Sequence, residues 1–438
     1  MKRSVVLFAV AATLWSVSAR AADPAPSPVL APLDAIYPEL DRLYVDLHQS
    51  PELSYHEEKT AAKMADRLRA LGFEVTTGIA KTGVVGILRN GKGPTVMLRT
   101  DLDGLPVEEK TGLPYASKTT AKDDAGETVR VMHACGHDVH MTSWIGAATL
   151  LSRAKDRWRG TLMMVGQPAE EKGGGAAKML ADGLFTRFPK PDFAFAIHDS
   201  AQAPAGTVQL ISGFALANVD SVDVTIYGRG GHGAYPHTTV DPIVIAARTV
   251  LALQTIVGRE NNPFDPAVVT VGSIHGGTKH NIIPDEVRLQ LTVRSYKDDV
   301  RKRLLASIER IAKAEAAAAG APRPPDVTAS EGTPATYNDP AVTKRVADAL
   351  ARGLGADRVV EAQPVMGGED FSEYGRAGVP ATLVWVGAVE PKKYEASKAG
   401  GAPLPSLHSS EFAPDREATL RTGVKTVTLA ALELLGKP

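Results

Sequence analysis

The segment from His133 to His140 carries one thiol and three imidazoles within eight residues, at Cys135, His137 and the two ends. Thiolates and imidazoles are good ligands for transition metals. Cys135 is the only cysteine in 438 residues, so it cannot form an intramolecular disulfide, and either burial or metal coordination must explain it. The alternative makes Cys135 a buried small residue and His137 a hydrogen-bonded core histidine. The segment therefore predicts the first half of a hydrolytic metal site.

Other acidic and histidine residues follow apolar, strand-like runs. In an open α/β sheet, ligand-binding and catalytic residues lie at such positions, just past the carboxyl ends of the strands. The pairs and the runs they follow are Asp101 and Asp103 after 95–100, Glu170 and Glu171 after 161–165, and His198 and Asp199 after 193–197. We expect these side chains to meet at one edge of a sheet.

The start of the chain is typical of a secretory signal peptide over residues 1–21. Lys2 and Arg3 precede an apolar run at 5–17, which ends at a small-residue pattern. No later run sustains the ~20 apolar residues that a membrane span needs. We therefore expect an exported protein, periplasmic or secreted, with no membrane association.

Composition places the mature chain among ordinary globular proteins. Hydrophobic residues make up 44% and charged residues 23% of the chain. Removal of the signal peptide takes away three positive charges and leaves a mildly acidic balance, which argues against nucleic-acid binding. The length suits two domains of about 100–200 residues each.

The periodicity of apolar residues alternates between helical and strand-like along the first half of the chain. Helices are predicted at 33–47, 57–71, 139–155 and 176–184, with strands at 73–77, 84–88, 95–100, 161–165 and 193–197. This alternation indicates an α/β sheet flanked by helices.

A strand-helix-strand-strand-helix unit follows from about residue 212. Its elements are predicted at 219–227, 241–257, 267–274, 287–296 and 298–319. The chain then returns to the first domain through an apolar strand at 381–386. We therefore predict a catalytic domain over 22–211 and 329–438, interrupted by a smaller domain over 212–328.

The chain resembles a family of metallohydrolases that includes aminoacylases, hippurate hydrolases, plant auxin-conjugate hydrolases and bacterial glutamate carboxypeptidases. It is most similar to the branch that has Cys135 where others place a bridging aspartate, and Asp101 where others place a histidine. The matching segments occur in order along the chain: Ser50-Pro-Glu-Leu-Ser54 with Glu57, 101–106, 133–140, 167–171, 196–198, 228–237, 280–284, 367–370 and 408–409.

The resemblance implies a di-metal exopeptidase-like catalytic domain and an inserted α+β, ferredoxin-like, lid and dimerisation domain. It implies two divalent ions per subunit, with zinc preferred and manganese, cobalt or nickel as alternatives. The implied ligands are Cys135, His137, Glu171, His198 and His408. Because Cys135 and His137 are two apart, an extended segment would point both to one side.

Glu170 is the predicted catalytic base and acid, because an unligated carboxylate beside a metal site can accept a water proton and pass it to the leaving amine. Its neighbour Glu171 would bind metal, so the strand must end at Pro168-Ala169 to let both face the site. The alternative is a solvated acidic pair. By resemblance Asp103 orients a ligand or Glu170; it could also be a simple turn residue.

The smaller domain contributes three further candidates by resemblance. His232 would stabilise the oxyanion, often from the partner subunit, while Asn281 and Arg294 would grip the substrate's carboxylate and amide. The pattern of residues 228–233 also fits a dinucleotide fingerprint, but no helix start follows it, so we reject that interpretation. The alternative for His232 is an exposed histidine in a glycine-rich hairpin, and the alternative for Arg294 is a solvated arginine on a strand.

Several matching residues receive no firm role. His133 and His140 are expected to pack or to support ligands, Asp138 to bind or to cap the following helix, and Asp370 to cap a helix beginning at 371. The remaining unassigned residues are Asp101 and Glu369.

We therefore expect a metal-dependent amidohydrolase that releases amino acids from N-acyl amino acids such as acetyl or benzoyl conjugates, and that forms a homodimer or a higher homo-oligomer. A dipeptidase or carboxypeptidase acting on short peptides is the alternative on the same scaffold. An inactive exported metal- or ligand-binding protein is the alternative of another class, and the presence of Glu170 argues against it.

Overall fold

The computed structural model describes residues 27–437, so the predicted signal peptide lies outside the described residues. The helices are α1 (Leu33–Gln49), α2 (Glu58–Ala70), α3 (His137–Arg153), α4 (Gly175–Ala181), α5 (Leu184–Arg187), α6 (Pro242–Thr255), α7 (Asp298–Ala318), α8 (Pro340–Leu354), α9 (Ser372–Arg376), α10 (Pro391–Lys398) and α11 (Arg416–Leu434).

The strands fall into one large sheet, one smaller sheet and three short ribbons. They are β1 (Glu74–Ile79), β2 (Gly83–Asn90), β3 (Thr95–Asp101), β4 (Thr120–Lys122), β5 (Thr128–Arg130), β6 (Gly160–Gln167), β7 (Phe193–Pro204), β8 (Val208–Leu210), β9 (Gly213–Leu216), β10 (Asn218–Tyr227), β11 (Gly231–His232), β12 (Ala267–His275), β13 (Ile282–Ile283), β14 (Glu286–Ser295), β15 (Asp326–Glu331), β16 (Thr336–Asn338), β17 (Val359–Glu361) and β18 (Ala381–Val389).

The large sheet is mixed and has the order β1-β2-β6-β3-β7-β18-β8-β17. Its centre, β6-β3-β7-β18, is parallel. Alternate residues of β3 pack into different apolar clusters, with Val96 and Leu98 against α1, α3 and α11, and Met97 on the side of α4 and α9. The predicted mixed sheet flanked by helices is therefore confirmed, and the parallel centre brings the ends of β3 and β6 to one edge.

The smaller sheet is antiparallel with the order β12-β14-β10-β15. Helices α6 and α7 pack on one of its faces and share a separate hydrophobic cluster with it. The predicted strand-helix-strand-strand-helix order is confirmed, and β15 adds a fourth strand that runs to Glu331, past the predicted boundary at 328. The division into two domains and the lid role stay predictions.

Two helix predictions need correction, and a left-handed glycine lies at the changed boundary in each. Helix α3 begins at His137 rather than at 139, directly after Gly136, whose φ of 71° is left-handed. The single helix predicted at 176–184 is two helices, because Gly183 adopts a φ of 88° between α4 and α5. Glycine enters the left-handed region without the steric cost that other residues meet.

Candidate metal centre and active site

A tight turn, not an extended segment, brings Cys135 and His137 together. Cys135 lies in the turn, Gly136 is the left-handed residue preceding α3, and His137 opens that helix. A Cβ at Gly136 would collide with the carboxylate of Asp199, so only glycine fits there. The extended geometry expected from the two-residue spacing is therefore wrong, although the two side chains do reach one cluster.

Residues from three other segments join Cys135 and His137. Its Sγ lies 3.5 Å from Nε2 of His198, which is inside β7, and 3.3 Å from Nε2 of His408, in the loop before α11. Nε2 of His408 is 3.5 Å from Oε2 of Glu171, whose Oε1 is 3.7 Å from Nε2 of His137. The structure thus brings together all five residues that the sequence predicts as ligands.

The donor atoms of this cluster fit a metal centre. In each of the groups Cys135-His137-His198 and Cys135-Glu171-His408 the donor atoms lie within 4.8 Å of one another. Nε2 of His137 and Oε1 of Glu171 are buried without any hydrogen-bond partner. A buried polar atom without a partner is costly, and a cation would satisfy both. Cys135, His137, Glu171, His198 and His408 would hold the ions.

Hydrogen bonds to the far side of each ring fix the histidine tautomers. Nδ1 of His137 donates to the carbonyl of Asp103 at 2.8 Å, and Nδ1 of His198 donates to the carbonyl of Asp199 at 2.7 Å. In the neutral ring such bonds leave Nε2 without a proton and facing the cluster, as in histidines that bind metal.

Burial opposes negative charge at two of these side chains. It raises the pKa of the Cys135 thiol well above its usual value, with the Glu171 charge adding to the effect. It also raises the pKa of Glu171 to about 7. A divalent cation favours the deprotonated form of both ligands, so metal binding would be coupled to proton release.

Glu170 sits beside the cluster but at its margin. Strand β6 ends at Gln167 and Ala169 adopts a φ of 52°, so the break required before Glu170 is present. Oε2 of Glu170 is 3.9 Å from Nε2 of His137. Burial, followed by the charges of Glu369 and Glu171, raises the pKa of Glu170 well above its usual value. A raised pKa suits a group that must take up and release a proton near neutral pH.

Asp103 organises the backbone of the acidic pair. It is fully buried, and its two carboxylate oxygens accept the backbone N–H groups of Glu170 at 3.2 Å and Glu171 at 3.1 Å. Hydroxyl Oγ of Ser54 donates to the same carboxylate at 2.6 Å. These contacts favour the orienting role over that of a simple turn residue.

His140 and Asp101 form a buried hydrogen-bonded pair next to the cluster. Nδ1 of His140 lies 2.8 Å from Oδ1 of Asp101, and Nε2 lies 2.8 Å from the backbone N of Asp199 and 3.2 Å from its Oδ1. Both nitrogens of His140 are therefore occupied by protein contacts. This distinguishes it from the five residues whose donor atoms face the centre.

Asp138 is not the cap of α3, because Gly136 precedes that helix. Its Oδ2 lies 2.7 Å from Nδ1 of His48, whose Nε2 is 3.2 Å from Oε1 of Glu109. Burial lowers the pKa of His48, but these two carboxylates outweigh it and raise the pKa to about 10. The buried imidazolium of His48 therefore links α1 to the start of α3.

His133 is also buried, and neither of its ring nitrogens has a hydrogen-bond partner.

An arginine inside β3 holds three buried carboxylates. Arg99 donates to Asp101 at 2.7 Å, to Glu369 at 2.8 Å and to Asp370 at 3.1 Å. Asp370 does not cap the following helix, since its Oδ2 accepts the N–H of Ala176 at 3.0 Å. Arg99 is not among the residues predicted for the site, although an arginine in an apolar strand is a signal that could have found it.

Replacing Arg99 with methionine is expected to lower the free energy of unfolding of the metal-free protein by about 3–5 kcal/mol, because it leaves buried carboxylates unpaired. Urea unfolding measures the change. Lys344→Met, which breaks an exposed pair with Asp348, is the matched control and should cost less than about 1 kcal/mol. Equal, small losses in both variants would contradict a charged network around Arg99.

The three candidates His232, Asn281 and Arg294, from the β11-β13 ribbon and from β14, make no hydrogen bond to the five proposed ligands. His232 is exposed on β11, where it pairs with Ile282, and Asn281 accepts the N–H of Gly233. Arg294 is half-buried and faces away from the apolar side of β14, as predicted. A Cβ at Gly368 would lie 3.8 Å from Nη1 of Arg294, which places that guanidinium beside the loop carrying Glu369.

Comparison with known proteins agrees with the site. The model of Peptidase family M20/M25/M40 matches residues 97–400, and the chain belongs to this family. It is 40% identical over 333 residues to an N-acetyl-L-cysteine deacetylase of Bacillus subtilis, covering 75% of both chains. It is 38% identical to thermostable carboxypeptidase 1 of Saccharolobus solfataricus, covering 89% of this chain and 94% of the relative.

A solved structure from Bacillus subtilis, described as a dinuclear metal binding peptidase from the M20 family, is also similar. Its TM-score is 0.74 at 30% identity, covering 92% of this chain and all of that one. Together with the donor cluster and Glu170, these likenesses identify the protein as a metal-dependent amide hydrolase.

Proposed function

We propose that the protein hydrolyses the amide bond of N-acyl amino acids and releases the free amino acid, with two divalent ions, zinc first, held by the five clustered ligands. The observation that carries the proposal is the position of Glu170, a side chain only 10% exposed whose Oε2 lies 3.9 Å from Nε2 of His137. The thiolate of Cys135 favours zinc over harder ions. The deacetylase relative acts on an N-acetyl amino acid by its name.

Divalent ions held by Cys135, His137, Glu171, His198 and His408 would supply Lewis acidity for the amide carbonyl and for the attacking water. Glu170 then accepts the proton of the attacking water and delivers it to the leaving amine. Asp103 keeps Glu170 in place through its backbone N–H. Cys135 and His137 are buried, and the low local dielectric around them strengthens these electrostatic effects.

Recognition of the substrate's carboxylate is assigned to Arg294, with Asn281 at the amide. Burial lowers the pKa of Arg294, but an arginine remains charged at neutral pH. Its forked donors suit a carboxylate. Its place beside the loop of Gly368 supports a substrate lying between the two sheets.

A carboxypeptidase or dipeptidase activity is the second candidate, because two thermostable carboxypeptidases of Saccharolobus solfataricus are 38% and 37% identical to this chain. The test compares amino-acid release from acetyl- and benzoyl-amino acids with release from unblocked dipeptides of the same residues. We expect higher kcat/KM on the blocked substrates. Preference for the unblocked dipeptides would overturn the N-acyl assignment.

We also propose a homodimer that pairs the smaller sheets of two copies. The apolar helix formed by α6 and the following π-turn, Pro242–Glu260, is the one helix among residues 27–437 long and apolar enough to span a membrane. Its inner face packs on β10 and β14, which is typical of a globular protein. Its outer face exposes Val244 and Leu251, and Phe264 beyond it is 91% exposed.

Exposed apolar patches of this kind mark interfaces. Strand β12, which neighbours the helix Pro242–Glu260, is an edge strand of the smaller sheet and is therefore open to pairing. A second copy of the chain is the occupant that we propose, because His232, the expected oxyanion residue, is exposed on β11 and makes no hydrogen bond to the ligands of its own chain. His232 would then stabilise the oxyanion in the partner's site.

Leu251→Asp is expected to convert the dimer to a monomer. Leu251 is 72% exposed in the single chain, and dimer formation would bury the aspartate charge without a partner. Light scattering after size-exclusion chromatography measures the mass. Val360→Asp, at a 42% exposed valine on β17, is the matched control and should leave the mass unchanged. A dimer that persists in Leu251→Asp would contradict this interface.

Export to the periplasm or the medium is proposed from Lys2, Arg3 and the apolar run at 5–17. Cell fractionation tests it, with the mature protein expected outside the cytoplasm. Retention of a full-length chain in the cytoplasm would contradict it.

A further inference from the structure

The backbone N–H groups of three consecutive residues, Ala169, Glu170 and Glu171, all donate to buried carboxylates. The N–H of Ala169 donates to Oε1 of Glu57 at 2.8 Å, and those of Glu170 and Glu171 donate to Asp103. Consecutive N–H groups that converge in this way form a concave anion-binding nest. Here the nest is filled from within the protein, by Glu57 and Asp103.

The turn that forms the nest is strained at one residue. Ala169 adopts a φ of 52°, a left-handed conformation that an alanine occupies only when its surroundings enforce it. Without this turn Glu170 and Glu171 would continue β6 and point to opposite faces of the sheet. The hydrogen bond from Ala169 to Glu57 is therefore placed where it can hold both side chains in the site.

Two further hydrogen bonds hold the side chain of Glu57 in place. It is fully buried, its Oε1 also accepts the N–H of Tyr55 at 2.9 Å, and its Oε2 accepts the hydroxyl of Thr82 at 2.5 Å. It occupies the N-cap position of α2, yet its side chain makes no capping hydrogen bond there. The side chain of Glu57 instead accepts the backbone N–H of Ala169.

We propose that Glu57 is a positioning residue: its carboxylate locks Ala169 in the left-handed turn that presents Glu170 for proton transfer and Glu171 for metal binding. The kinetic part of this proposal rests on the proposed hydrolytic function. The structural part concerns the peptide backbone alone and is tested without substrate.

The first arm measures amide hydrogen exchange in the metal-free protein, over peptides that contain residues 169–171. Glu57→Ala should speed exchange there, whereas Glu57→Gln should not, because the amide oxygen can still accept from Ala169 while the Thr82 hydroxyl turns to accept. Glu52→Ala is the matched control, since Glu52 accepts a backbone N–H, from Thr60, in the same segment but away from the nest. Unchanged exchange in Glu57→Ala would overturn the proposal.

The second arm measures kinetics and metal content of the metal-loaded variants. Glu57→Ala should lower kcat about 10- to 100-fold, as expected for a misplaced catalytic group, with KM changed less than about threefold. Glu57→Gln should stay within about threefold of the parent. Adding Ala169→Gly to Glu57→Ala should recover part of the loss, because glycine adopts the left-handed turn unaided.

Full activity in Glu57→Ala, or loss of activity in Glu57→Gln equal to that in Glu57→Ala, would overturn the proposal. If Glu57→Ala does not fold, Glu57→Asp replaces it in both arms, since the shorter side chain withdraws the carboxylate from Ala169, and the same outcomes apply. An inactive parent would refute the proposed hydrolysis, while the exchange measurement would still decide the role of Glu57.

Discussion

Glu170→Gln is expected to lower kcat on N-acyl amino acids by about 10²–10⁴-fold, because the amide cannot accept the proton of water or return it to the leaving amine. The substitution preserves shape and leaves the five proposed ligands untouched. Steady-state kinetics measure the loss, and metal analysis should find the parent's metal content.

The adjacent residue offers a matched comparison, since Glu170 and Glu171 share one turn held by Asp103. Glu171→Gln should lose metal as well as activity, because Oε1 and Oε2 of Glu171 face His137 and His408. Near-parent turnover in Glu170→Gln, or equal loss of metal in both variants, would contradict the division of roles between base and ligand.

Cys135→Ala is expected to weaken metal binding by more than about 100-fold, since loss of even an outer partner of a metal ligand costs about 10- to 100-fold. Sγ of Cys135 faces both His198 and His408, so its removal affects donors on both sides of the cluster. Competition with a chromophoric chelator measures the affinity, and a cobalt-loaded parent should show a thiolate charge-transfer band that the variant lacks.

Two further variants separate ligation from packing. Cys135→Asp should regain part of the affinity, because a carboxylate also binds divalent ions. Met132→Leu changes a fully buried neighbour at nearly constant volume and should retain metal. Unchanged affinity in Cys135→Ala would show that Cys135 is only a buried small residue.

The approach of Glu171 to Cys135 could be predicted because Glu171 follows a central strand, and parallel strands deliver their carboxyl ends to one edge of the sheet. His198 was expected just past a strand but lies inside β7, which runs on to Pro204. The complete set of five ligands was expected only from the family resemblance. The break at Ala169 was also predictable, because the pair Glu170 and Glu171 requires it.

Contacts between distant segments were not predictable from spacing. Arg99 meets Glu369 and Asp370 about 270 residues later in the chain, and His48 meets Glu109 and Asp138. Periodicity reports which face of its own strand or helix a residue occupies, and nothing about the partner opposite.

Local backbone geometry was the other source of error. The left-handed Gly136 converts a segment that was expected to be extended into a turn followed directly by α3. The spacing of Cys135 and His137 is compatible with either geometry, and the two side chains reach one cluster through the turn and not through an extended segment.

The most direct test of the metal centre is release of free amino acid from acetyl- and benzoyl-amino acids by the full mature chain, before and after complete removal of metal and again after zinc is restored. We predict turnover that disappears with the metal and returns with about two equivalents per subunit. Turnover that survives complete metal removal would contradict the assignment of Cys135, His137, Glu171, His198 and His408 as the catalytic metal centre.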